Sequence, residues 1–201
     1  MTRIKLLFSL ILVFCLCGCA TPGLKFIDLA YMKESDPTQE GQMGIAQFKD
    51  TRQKTAAGYV GLRILTDKSQ ETYLVRGQNL GATLTDLTRI YLEKTGFVVT
   101  PIPDWPPTLA GVENAPEGLD QLLSADINTF ECKAQKNGAV TKMILEIDLT
   151  FYLGDIQNKR LSTIPVSLTL ERTELTFSQK KLEQFIDQAF EEIVEKALPF
   201  K

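Results

Sequence analysis

Ser178-Gln179-Lys180-Lys181 has the S-x-x-K spacing and Lys94-Thr95-Gly96 supplies a K-T-G, the elements with which serine acyl-transfer enzymes set a hydroxyl beside an amine. Here the K-T-G comes first and no S-D-N accompanies the pair, so a helix N-cap at Ser178 and a helix C-terminus at Gly96 are the favoured roles. Glu146 and Asp148 stand two apart in an alternating run, which sends both carboxylates to one side of a strand, as acid/base or cation chemistry requires. That side is also the polar face of a one-sided sheet, where charge is expected without chemistry. Gly77 and Gly81 flank a helix start whose N–H groups could face an anion. Neither G-x-G-x-x-G nor G-K-[ST] is present, so turn chemistry is favoured. Asp50 and Arg52 follow a strand and can pair with each other, cap a turn or face a partner, with the structural roles favoured. Trp105 sits among Pro101, Pro103, Pro106, Pro107 and Pro116. A stiff loop of this kind suits a protein contact or a lid over an apolar ligand, and equally an indole folded back onto the sheet.

What is missing narrows the chemistry further. None of the 201 residues is histidine, which removes His-dependent triads, His-ligated metals and imidazole relays. With no complete catalytic set in its place, the expectation is a protein that is not an enzyme and takes no cofactor or metal. A formal charge of -3 argues against a nucleic-acid partner, for which a basic patch would be needed. Hydrophobic residues at 44% and charged residues at 23% fit one globular domain rather than a disordered chain.

The elements that must position these residues are legible from periodicity. Leu24 to Met32 and Met43 to Lys49 read as strands, and Tyr59 to Leu65 with Glu71 to Arg76 as a hairpin around Asp67-Lys68-Ser69. Asn79 caps a helix to Lys94 carrying Leu80, Leu84, Leu87 and Tyr91 on one side; Gly96 ends it and Phe97-Val98-Val99 starts a strand. An irregular stretch from 100 to 118 leads to a short helix, Glu117 to Leu123, and a strand, Ala125 to Gln135. The apolar parity of that strand changes, which predicts a bulge near Asn128 and Thr129. Met143 to Leu153 alternates strictly, turns at Gly154 to Lys159 and returns through Ile164 to Leu170, with a second parity flip after Glu171. Ser178 caps a last helix whose stripe runs from Leu182 to Ala197 and stops before Pro199. The fold class expected is α+β: a mixed, mostly antiparallel sheet with two amphipathic helices packed on one face.

The N-terminus carries an address. Arg3 and Lys5 precede an apolar run, Leu6 to Leu16, too short to span a bilayer. It closes in Leu16-Cys17-Gly18-Cys19, which resembles the bacterial lipoprotein signal, or lipobox. The resemblance implies a signal peptide at residues 1–18, cleavage after Gly18, a diacylglyceryl group on the Cys19 thiol and an acyl group on its freed amine. Residues 19–23 then form a lipidated tether and 24–201 a single periplasmic domain. Two or three acyl chains give stable anchoring where one does not. Ala20 after the cysteine resembles cargo sorted to the outer membrane. Loss of Arg3 and Lys5 takes the charge from -3 to -5, so anionic headgroups would not attract the domain. Cys15 and Cys17 leave with the signal and Cys19 is lipidated, so Cys132 is the thiol that remains, and a buried thiol is favoured over an intermolecular disulfide.

A lipobox, a strand running into Phe48-Lys49-Asp50-Thr51-Arg52, Gly58, an amphipathic helix and Gly96-Phe97 together resemble the YajG-like outer-membrane lipoproteins of Gram-negative bacteria. The ABC-transport auxiliary lipoproteins are similar in organisation. The resemblance covers most of residues 43 to 150. It implies an outer-membrane lipoprotein with an α/β domain and no assigned enzymatic activity; the leading expectation for this chain is a periplasm-facing binding or assembly accessory with an envelope protein as partner. The alternative is a carrier of lipid or another apolar ligand, or an auxiliary subunit of a lipid-transport system, with a pocket between sheet and helices under the Trp105 loop.

Overall fold

The computed structural model describes residues 23–53, 55–77 and 79–199. The expected signal peptide, Cys19 and the tether as far as Pro22 lie outside the described residues; Gly23 is the first residue of a strand. The order is β1 (Gly23–Ile27), β2 (Gln42–Ala46), β3 (Lys49–Asp50), β4 (Tyr59–Ile64), β5 (Gln70–Val75), α1 (Leu80–Thr95), β6 (Val98–Ile102), α2 (Leu109–Glu113), β7 (Gln121–Asn137), β8 (Val140–Asp155), β9 (Arg160–Glu174) and α3 (Gln179–Ala197).

β7 is the strand on which the others are assembled. Along one edge, β2, β3 and β4 are laid end to end and all parallel to it, through Gly44↔Leu122, Asp50↔Ile127 and Leu62↔Lys133. Along the other edge β8 runs antiparallel from Gln121↔Asp155 to Asn137↔Val140, and β9 adds to β8 in turn. β5 and β1 extend the sheet beyond β4, and β6 extends it beyond β2.

This architecture corrects the layered α+β arrangement expected from the sequence. Among the described residues strand makes up 44% and curls into a half-barrel of nine strands with three helices, and the helices do not form a pair on one face. α2, a single turn of five residues, packs poorly, burying only Gly111 and Val112. Two physical causes stand out. Strands of 17, 16 and 15 residues accumulate right-handed twist and cannot remain a flat platform. In addition, β2, β3 and β4 are successive pieces of one parallel edge, although β4 also forms the expected hairpin with β5.

The concave side is filled from α3. Leu182, Phe185, Ile186, Ala189, Phe190, Ile193, Val194 and Ala197 are all buried, the stripe that its spacing predicts. They meet Phe130, Phe151, Leu145, Ile147 and Leu149 in one cluster, to which α1 adds Leu80, Leu84, Leu87, Tyr91 and Leu92. Burying four phenylalanines at under 2% exposure contributes several kcal/mol through apolar area alone. Both long helices are capped as expected: Asn79 accepts from the Ala82 N–H at 2.8 Å, Ser178 accepts from Lys181, and Gly96 closes α1 at φ 113°. Gly81 brings the first turn of α1 against β2–β3, since a Cβ there would lie 2.2 Å from the Phe48 carbonyl oxygen.

Three local expectations are also corrected. The strand expected from Leu24 to Met32 leaves the sheet after Ile27, and Asp28 onward is held by side chains instead. The helix expected at Glu117 to Leu123 does not form, because Gly118 sits at φ 83° and the chain enters β7 at Gln121, burying Leu122 and Leu123 on opposite faces. The parity flip after Glu171 is absent: Arg172 continues the inward side, 4.8 Å above the Phe185 ring, while Leu175 is left 79% exposed.

Candidate functional site

The bulge expected near Asn128 is present and explains Asp50 and Arg52. Ile127 pairs with Leu149 but Thr129 with Asp148, which leaves Asn128 as the extra residue. On the opposite edge of β7 the parallel partners stop at Asp50↔Ile127 and resume at Gly61↔Cys132. Arg52 fills that gap with its guanidinium. Nη1 donates to the Phe130 carbonyl at 2.7 Å and to the Tyr59 carbonyl at 2.9 Å. Nε and Nη2 hold the Asp50 carboxylate at 2.8 and 2.7 Å. The Arg52 side chain is 6% exposed and stands in for missing backbone donors. Burial pushes the Asp50 carboxyl up, and the bonds and charge of Arg52 outweigh it, holding the group below its ordinary value.

Trp105 folds back. It is 5% exposed and forms a second, smaller core with Ala46, Val112 and Leu122 on the face of the sheet opposite α3. Gly154 and Gly111 make room for the indole: a Cβ on Gly154 would lie only 3.1 Å from Cζ2, and one on Gly111 only 3.0 Å from Nε1. The Nε1 N–H has no acceptor among the described residues. Outside the ring, the loop leaves an open depression of about 320 Å³ lined by Ile102, Pro103, Pro106, Thr108 and Asn114 among others. A second, of about 330 Å³, lies between Lys33–Thr38 and the ends of α1 and α3.

The remaining candidates are not brought into a catalytic arrangement. Ser178 and Gly96 cap helices, Lys181 binds Glu174 at 2.6 Å, and Lys94 binds the Lys33 carbonyl at 2.9 Å. Glu146 is exposed on the outer face, while Asp148 accepts from Asn128 at 2.9 Å. Among the described residues no group of three Cys, Asp or Glu is placed to hold a metal ion. Cys132 is buried, which pushes its thiol up to about 12 and leaves it unreactive.

Sequence reasoning missed one constellation. Glu183, Asp187, Glu191 and Glu195 recur every four residues along α3 and grip the segment after β1. Glu183 accepts from the Asp28 N–H (3.2 Å), Asp187 from Ala30 (3.0 Å), and Glu191 from Met32 and Lys33 (2.7 and 3.0 Å). Glu195 binds the Lys33 ammonium at 2.6 Å and the Tyr31 hydroxyl at 3.2 Å. Burial, with Glu191 and Glu183 as like-charged neighbours, raises Asp187 to about 7 despite the Ala30 bond. The signal was available as an acidic i, i+4 row, which reads from sequence only as a solvated face.

These elements define a curled half-barrel closed over its C-terminal helix, with its N-terminal segment strapped to that helix. The same fold occurs in protein XCC0632 from Xanthomonas campestris, assigned to the DUF330 family, at 12% identity and TM-score 0.52, with 86% of this chain and 91% of that one covered. A second solved structure, of an uncharacterised protein, matches at 13% identity and TM-score 0.52 over 87% of this chain and 95% of that one. No family model matches the sequence, and no curated protein matches it.

Proposed function

We propose that this chain is a lipid-anchored, non-catalytic accessory of the bacterial envelope, held by Cys19 on the periplasmic side of the outer membrane and serving binding or assembly there. Kinship with the YajG-like lipoproteins belongs to the same proposal. The observation that carries it is the position of β1. Among the described residues the sheet starts at Gly23, four residues past the lipobox cysteine, on a strand at the end of the sheet. A tether that short keeps the sheet's edge within about 15 Å of the lipidated residue. Asp50, Arg52 and Trp105 then act by holding the fold's shape rather than by touching a ligand, and the partner meets the outer surface. The filled space between sheet and α3 favours this reading over carriage of a lipid in an interior pocket.

Cys19→Ser tests the proposal. Metabolic acyl labelling should disappear and the domain should move from the membrane fraction to the soluble periplasm. Labelling that persists on the variant would remove the anchor from the account.

A further inference from the structure

Most of the large apolar side chains are buried, yet β1 leaves Leu24 53% and Phe26 42% exposed, two residues apart and therefore on one face. Register extends that face inward: Leu24 lies beside Thr72, Phe26 beside Leu74, and Thr72 beside Leu62. Leu74 and Leu62 are half-buried, so four large apolar side chains share the outer surface of β1, β5 and β4. At its margin, Asp28 and Arg76 neutralise each other at 2.9 Å.

We infer that this face is a membrane-docking surface on which Leu24 and Phe26 insert into the interfacial region of the bilayer that carries the anchor. The inference rests on the reading of Cys19 as the lipid-bearing residue. Leu24 is five residue steps from Cys19, so the near end of the patch cannot lie further than about 18 Å from it even with the chain fully extended. The lipid surface is therefore the apolar phase within reach. The net charge of -5 expected after cleavage offers no attraction to headgroups, which leaves apolar contact as the force that orients the domain. Docking turns the opposite end of the sheet, at β6, toward the periplasm.

The test uses the full lipidated protein in vesicles of phosphatidylethanolamine and phosphatidylglycerol. Leu24→Cys, Phe26→Cys and, on β6, Val98→Cys are each labelled with an environment-sensitive dye. Val98 is the control because it is 56% exposed at the other end of the sheet. Labelling is selective because Cys132 is buried and the Cys19 sulfur is acylated. Far-UV circular dichroism verifies that each variant is folded. Dyes at 24 and 26 should shift to the blue and be quenched by lipid-borne quenchers about threefold more than the dye at 98. Equal quenching at all three sites, in protein that still floats with the vesicles, overturns docking and leaves the anchor intact. Shielding at 24 and 26 without lipid quenching assigns the patch to a protein surface and also overturns it. Failure of the unlabelled protein to float would instead refute the anchor, and the docking inference with it.

Discussion

Replacing Arg52 by alanine removes the guanidinium that bridges the gap in the parallel edge of β7. The Phe130 and Tyr59 carbonyls lose donors at 2.7 and 2.9 Å. Each buried acceptor left unsatisfied costs ~1–3 kcal/mol. The Asp50 carboxylate loses its partner as well, but at 25% exposure it recovers part of that loss from water. The expected destabilisation is about 3–4 kcal/mol, or roughly 10 °C in Tm for a chain of this size. Urea unfolding followed by far-UV circular dichroism, with Asp50→Asn and the double variant completing a cycle, measures it. The sign with pH is fixed by Asp50, whose folded-state value is below 3.8. Its contribution is present above pH 3.8 and is lost as pH falls through the lowered value, so the gap between parent and Arg52→Ala should narrow in acid. A loss under about 0.5 kcal/mol, or a cycle with no coupling, would refute the assignment of Arg52 as a substitute for backbone donors.

Asp187→Asn should stabilise the protein by about 1 kcal/mol at pH 8, because the amide keeps an oxygen for the Ala30 N–H and removes two like-charge i, i+4 contacts. Since Asp187 is raised from 3.8 to about 7, the parent loses stability as pH rises through that window; the gain from asparagine should grow across it and level off above it, and a gain independent of pH would contradict the reading. Trp105→Ala should cost about 3–5 kcal/mol in urea melts. Trp105→Phe should cost about 1 kcal/mol or less, because it also deletes an N–H that has no acceptor among the described residues. A phenylalanine variant as unstable as the alanine one would show that the indole nitrogen is satisfied after all.

Local elements with one strong cause were legible in the sequence. The caps at Asn79, Gly96 and Ser178, the stripe of α3, the β8–β9 hairpin and the bulge at Asn128 all follow from residue type and spacing within a short window. What was not legible depends on distant pairing. No local pattern says that β2, β3 and β4 share one edge of β7, and that sharing converts an expected layered sheet into a curled half-barrel. The candidate sites divide in the same way. Asp50 and Arg52 were visible as a spaced pair, but their task is set by a carbonyl of β7, that of Phe130, 78 residues from Arg52. Trp105 stood out by type, while its burial depended on Leu122 and on the room left by Gly154, both beyond the loop. The acidic row of α3 was overlooked because the partners of Glu183, Asp187 and Glu191 in the strap are backbone N–H groups, which every segment carries.

The strap of α3 around Asp28–Lys33 has a mechanical consequence. Under the proposed anchor at Cys19, any tug from the membrane enters the described domain at Gly23. β1 runs parallel to β5 over five registered positions, so force along the strand loads these positions together, in shear, instead of peeling them one at a time. Behind them, Glu183, Asp187 and Glu191 transfer the strain to α3, whose other side is the centre of the core. The weakest geometry for a tether, a terminal edge strand, is thereby bound to the helix that fills the core, so a pull at Gly23 would load both β1 and α3.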